Sequence, residues 1–170
     1  MILLIQEVSE QTLIGEGCSV WCTSKSTSVE VSVKEQYVGD INDYRKYALL
    51  RRLQAGNALR IGVCWMLTRN NGRSDGSMTS YLKKSCYERH DPKLYNLLST
   101  VMATPDHGPL KLIERSGIIA GATYYNAIVP DRCADNRVAW FDKALAKLSS
   151  TDLIFFDPDN GLDVPSKRKG

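Results

Sequence analysis

Nowhere in the 170 residues does an apolar run approach the roughly 20 that a membrane-crossing helix needs. The opening Met1-Ile-Leu-Leu-Ile5 passes straight into Gln6-Glu7 with no basic stretch before it, so the expectation is a cytoplasmic protein without a secretory leader. Phosphate-cradling glycine loops are missing: neither Gly-x-x-x-x-Gly-Lys-Ser/Thr nor Gly-x-Gly-x-x-Gly occurs, and Gly72 and Gly76 make only a degenerate pair. That counts against a standard nucleotide or dinucleotide site. Histidine is scarce, with only His90 and His107, and no Gly-x-Ser-x-Gly elbow exists, so serine or cysteine triads have few possible bases. The five cysteines, Cys18, Cys22, Cys64, Cys86 and Cys133, are odd in number and show no Cys-x-x-Cys spacing. Nothing downstream of Cys18 and Cys22 completes a zinc set, and reduced thiols acting as small apolar residues are expected.

What remains is the composition of one globular domain. A hydrophobic content of 43% with 24% charged residues supports a real core, and the length leaves no room for two ordinary domains. The net charge of +3 is unevenly spread. Residues 1–36 hold two lysines against five glutamates and carry −3, which leaves +6 on residues 37–170. A mildly basic body is compatible with phosphate-bearing partners without being a nucleic-acid signature by itself.

The chain divides at the same place. In residues 1–36, Val29, Val31 and Val33 alternate with polar neighbours, and residues 2–5, 12–14 and 19–22 are further short strand candidates. From residue 37 the pattern changes. Asp40 can cap a helix, Asp43 three residues later completes a box-like start, Ile41, Tyr44, Tyr47, Ala48 and Leu50 fall at helical spacing, and Gly56-Asn57 supplies the stop. Arg45, Lys46, Arg51 and Arg52 are left for its surface. Residues 59–67 read as a buried strand opening into a turn-rich loop, followed by a helix over 77–86. Asp91-Pro92 starts another helix, with Leu94, Tyr95, Leu97, Leu98, Val101 and Met102 as its buried stripe. After a Pro/Gly break at 105–109 come a short helix over 110–116 and a strand over 122–129. A last helix follows, its face drawn from Val138, Phe141, Ala144, Leu145 and Leu148. Strands alternating with helices imply an α/β fold, a mostly parallel sheet with helices on its faces. Three strands make that sheet thin. Either the N-terminal β segment joins it, or a partner chain completes it (a homodimer), or the domain continues past this polypeptide.

The chemistry concentrates where the chain leaves its last strand. Leu153, Ile154, Phe155 and Phe156 are four apolar residues in a row, right for a strand buried on both faces, and Asp157, Asp159, Asn160, Gly161 and Asp163 follow at once. Open α/β sheets place their ligands at such strand ends. Two carboxylates on a tight turn can offer hard oxygen ligands, so Asp157, Asp159 and Asp163 are candidate Mg²⁺ ligands, with Asp157 and Asp159 candidate catalytic groups. Asp40, Arg45, Lys46 and Asn160 are candidate substrate contacts. The competing structural reading is that Asp157 caps the next turn and Asp159-Asn160-Gly161 merely builds it. An EF-hand loop is a poor fit, since its glycine falls one place early and Arg168 stands where the closing glutamate belongs.

Three stretches resemble a group of uncharacterised bacterial and phage proteins: Tyr37-Val-Gly-Asp40-Ile-Asn-Asp43-Tyr-Arg-Lys46-Tyr-Ala-Leu-Leu-Arg51, Arg89-His-Asp-Pro92 and Phe156-Asp-Pro-Asp-Asn-Gly-Leu162. The resemblance spans residues 37–166 and implies no particular activity. Asp157-Pro-Asp-Asn160 is also similar to the acidic Asp-Pro-Pro-Tyr loop of class I methyltransferases, which implies a Rossmann-like sheet and S-adenosylmethionine as cofactor, although the Pro-Tyr half is replaced. The leading expectation is a metal-dependent enzyme acting on a phosphate-containing substrate, a nucleotide or nucleic acid. A methyltransferase-like protein and a non-catalytic interaction module are its rivals.

Overall fold

The computed structural model describes residues 2–5, 38–69, 78–104, 108–130 and 134–158, the first four by backbone alone. The strand candidates at 12–14, 19–22 and 29–33 lie outside the described residues, as do the three cysteines Cys18, Cys22 and Cys133. In chain order the elements are β1 (Ile2–Ile5), α1 (Ile41–Gly56), β2 (Ile61–Met66), a 3-10 turn (Ser80–Lys83), α2 (Ser85–His90), α3 (Pro92–Ala103), α4 (Pro109–Arg115), β3 (Thr123–Tyr125), α5 (Ala134–Leu148) and β4 (Leu153–Pro158). The strands lie in the order β1-β4-β2-β3, with β2 parallel to both β3 and β4 and with β1 antiparallel at the outer edge of β4. The expected α/β architecture is therefore present as a small parallel sheet of three strands flanked by helices. It gains its fourth strand from the N-terminal segment. Among the described residues no helix is long and apolar enough to cross a membrane.

Alternation along the two central strands sorts their side chains between two cores. Ile61, Val63 and Trp65 of β2 and Leu153 and Phe155 of β4 face α1, α3 and α4, whose Tyr47, Leu50, Leu94, Leu98 and Ile113 complete the larger core. Cys64, Ile154 and Phe156 face the other way, onto Trp140, Ala144 and Leu148 of α5. Burial pushes the Cys64 thiol up to about 12, so it behaves as a small hydrophobe, whereas Cys86 is exposed. Gly62 is small because α5 ends against it: a Cβ there would stand 2.8 Å from the Thr151 hydroxyl.

The helix starts follow the sequence closely. Asp40 accepts from the amides of Asn42 and Asp43, and Asp91 accepts from that of Leu94, with Pro92 at the first helical position. Elsewhere the structure departs from the expectation. The single helix expected over 77–86 is broken at Lys84, which is extended (φ −118°, ψ 110°) between the 3-10 turn and α2. Six residues along one continuous helix would place Tyr81 and Tyr87 well apart around the axis. The break lets both rings join Tyr44, with centroids 5.4–5.6 Å apart. The strand expected over 122–129 pairs only at Thr123–Tyr125. Beyond it Asn126 turns to Glu114, and the Ala127 carbonyl is taken by the Trp140 indole. On α5, Trp140 occupies the buried stripe, which rotates Val138 (62% exposed) and Phe141 (38%) outward from the face assigned to them. Lys46 and Arg51 are likewise not free surface cations: each is half-buried in an ion pair.

Candidate functional site

The helix α1 delivers its first turn to the C-terminal ends of β2 and β4, and between them lies a cleft of about 310 Å³. This is the crevice where open parallel sheets hold their ligands, beside the central strand from which the chain winds first to one side and then to the other. Val38, Asn42, Trp65 to Thr68, Met78 and Leu110 contribute to its walls, and Asp40, Asp43, Lys46 and Asp157 supply its charge.

Asp157 arrives by strand periodicity. Leu153 and Phe155 point at α1, and two residues further the same row becomes Asp157, opposite Trp65 in the ladder. Asp43 and Lys46 arrive by helix periodicity, three residues apart on one face. The Lys46 Nζ lies 2.7 Å from Asp157 Oδ1 and 3.3 Å from Asp43 Oδ1, so one ammonium is shared by carboxylates from two different elements. All three side chains are largely enclosed, at 26% exposure for Lys46, 7% for Asp43 and 17% for Asp157.

Each group is set by its neighbours. The second oxygen of Asp43 accepts the Gly39 amide at 3.0 Å, while the Asp43 amide itself donates to Asp40, so the side chain of Asp43 fixes the turn that enters the helix and that of Asp40 caps its start. Gly39 makes this turn at φ +86°, a conformation that suits glycine. Burial pushes the Asp43 carboxyl up to about 6; Lys46 pulls the other way, and the charges of Asp157 and Asp40 add to the rise. Burial works against the Lys46 ammonium too, but Asp157 and then Asp43 outweigh it and its pKa is raised. Tyr47, fully enclosed beneath the pair, is held well above the usual phenol range by burial first and by Asp43 and Asp157 next. Counting Asp40, Asp43, Asp157 and Lys46, the cleft carries −2 when all four are ionised.

The expected site residues distribute unevenly. Asp157 and Lys46 meet in the cleft. Asp40 also lines it, with Oδ1 used by the Asn42 and Asp43 amides and Oδ2 by the Asn42 side chain. Arg45 is exposed on α1 and does not line the cleft. Asp159, Asn160 and Asp163 lie outside the described residues, as does His107, while His90 ends α2 in solvent. Asp43, which the sequence marks only as part of a helix cap, turns out to face the cleft as well. Its spacing of three from both Asp40 and Lys46 is the signal that it neighbours each of those charges at the start of the helix. Among the described residues no three His, Cys, Asp or Glu side chains stand close enough to share one metal ion. Protein ligands for a cation here would be the two carboxylates around Lys46.

The three motif stretches converge on α1. Lys46 ties it to Asp157, and Arg51 ties it to Asp91 through two hydrogen bonds of 2.6 and 3.2 Å while also donating to the Ile118 carbonyl at 2.6 Å. Burial opposes the Asp91 carboxylate, but the Arg51 hydrogen bonds outweigh it and hold its pKa below the usual range. The chain matches no protein-family model, no curated protein and no solved structure.

Proposed function

We propose that the protein is a divalent-cation-dependent enzyme acting on a phosphate-containing substrate at this cleft. The observation that carries the reading is the Lys46 ammonium held between Asp43 and Asp157. Two carboxylates that converge on one positive charge are arranged to hold another. Mg²⁺ needs no more from a protein, because it keeps several waters and takes its remaining ligands from substrate phosphates. A cleft of charge −2 repels a phosphate until a cation enters, which makes the metal a condition of substrate binding. Were Asp43 and Asp157 to hold a cation, Lys46 would be available to a phosphate oxygen. Held by Asp43 and Asp157, such a cation would neutralise phosphate charge and supply a more acidic water for phosphate-ester hydrolysis.

A second reading has its own support. The half-apolar walls at Trp65, Met66 and Leu67 and the acidic floor also suit a cationic ligand such as S-adenosylmethionine, in keeping with a Rossmann-like sheet. The cleft itself favours a ligand-binding role over a purely protein-contact one.

One thermal-shift series separates these readings. Mg²⁺ or Mn²⁺ should raise the melting temperature of the wild type, with the rise lost in Asp43→Asn/Asp157→Asn. A shift with S-adenosylmethionine alone would support the methyltransferase-like reading, and no response to either would remove the cleft from consideration as a ligand site.

A further inference from the structure

Beside the acidic cleft, and sharing Met78 with it, lies a shallower groove of about 500 Å³ of opposite character. The described residues that line it include Thr79, Ser80, Lys83, Lys84 and Tyr87, with no carboxylate among them. Among the described residues neither lysine is in an ion pair, although both are exposed. Ile41 closes the groove on the α1 side, and Arg45, one turn further along the same face, is exposed as well. The extended backbone at Lys84 that brings Tyr81 and Tyr87 together also interrupts the helix between two neighbouring lysines.

We infer that this groove is the track for a single-stranded nucleic acid whose scissile or modified phosphate lies in the acidic cleft. The inference rests on the proposed function and narrows its substrate from any phosphate compound to a strand. A cation-requiring cleft next to an uncompensated basic groove is the charge pattern of a ligand with one phosphate at the metal and more beyond it. A mononucleotide would fill the cleft and leave the groove unused. Strand-binding surfaces combine a basic groove with aromatic rings, and here Tyr87 and the exposed Met78 thioether (54%) offer apolar surface between phosphates.

The test is fluorescence anisotropy with a short labelled oligothymidylate, in EDTA, over a salt series. Without cations the acidic cleft contributes no attraction, so the assay reads the groove alone. Lys83→Ala/Lys84→Ala should weaken binding by about ten-fold and flatten the dependence of log affinity on log salt by about 1.4, the change expected when two phosphates of a single strand are no longer neutralised. Lys83→Arg/Lys84→Arg should restore both. In EDTA, Asp43→Asn/Asp157→Asn should keep or strengthen oligonucleotide binding, and in a parallel series with Mg²⁺ in place of EDTA it should lose the response to the cation that the wild type shows, so that failure of the cleft and failure of the groove are read separately. No binding by the wild type, an unchanged salt slope in the alanine variant, or equal competition by thymidine monophosphate at matched phosphate concentration would overturn the inference.

Discussion

Burial moves the Asp43 carboxyl to about 6, from an unfolded value near 3.8, so the folded protein takes up this proton before the unfolded chain does. For an acid raised on folding, stability from this group grows as pH falls from about 6 towards 4 and is diminished above 6, where the buried carboxylate must carry its charge. The wild type should therefore gain on Asp43→Asn by roughly 2–3 kcal/mol as pH is lowered across that window. Urea unfolding of both proteins at intervals from pH 7 to pH 4 checks it, since contributions from Asp91 and other carboxylates away from the cleft are common to the pair and cancel. Parallel stability curves would mean that Asp43 is not buried as described.

At the scale of elements, α1 is fastened by charge to β4 through Lys46 and to the start of α3 through Arg51. Arg51 presents a planar fork to Asp91 and a third hydrogen bond to Ile118, and a lysine cannot make all three. Arg51→Lys should cost about 2 kcal/mol, seen as a lower denaturation midpoint with an unchanged slope. A midpoint equal to the wild type's would show that the fork adds nothing beyond its charge. The starts of α1 and α3 were legible in the sequence because an N-cap is a local event, written in Asp40, Asp91 and Pro92. The break at Lys84 was not. It answers to the distant ring of Tyr44, and nothing within 77–86 records it. The outward turn of Val138 and Phe141 has the same origin: Trp140 wins the buried stripe because Ala127, thirteen residues back, offers its indole a carbonyl. Likewise Asp157 could be expected at a ligand-bearing strand end from its own neighbourhood, but its partner Asp43 becomes visible only once α1 lies across the sheet.

The described residues form one sheet with a core on each face, and Phe155 sits in the larger core at 0% exposure on β4, one of the two strands paired along both edges. Phe155→Ala should cost about 3–5 kcal/mol, a large share of the 5–15 kcal/mol that a domain of this kind has in total. Far-UV and near-UV circular dichroism should report its loss in a single shared transition at a much lower temperature. Separate transitions would mean that the two cores unfold independently. The alternation of strands and helices was enough to expect a parallel sheet, since that order is a property of the chain itself. The order of strands in space was not, because it depends on which edge of β2 each later strand reaches.

That order has a consequence for how the protein is made. The strand at the middle of the sheet, β4, is the last strand to be synthesised among those described, and the Arg60 amide waits ninety-two positions for the Asp152 carboxylate that seals its entry. Until then β2 has an open edge, and the emerging chain cannot close either core. Folding should accordingly come late and be limited by long-range closure, with an interval in which a nascent chain is exposed to chaperones. Because Asp157 rides on that same strand, the cleft becomes complete at the moment the sheet does, and no shorter intermediate brings Asp157 to Lys46.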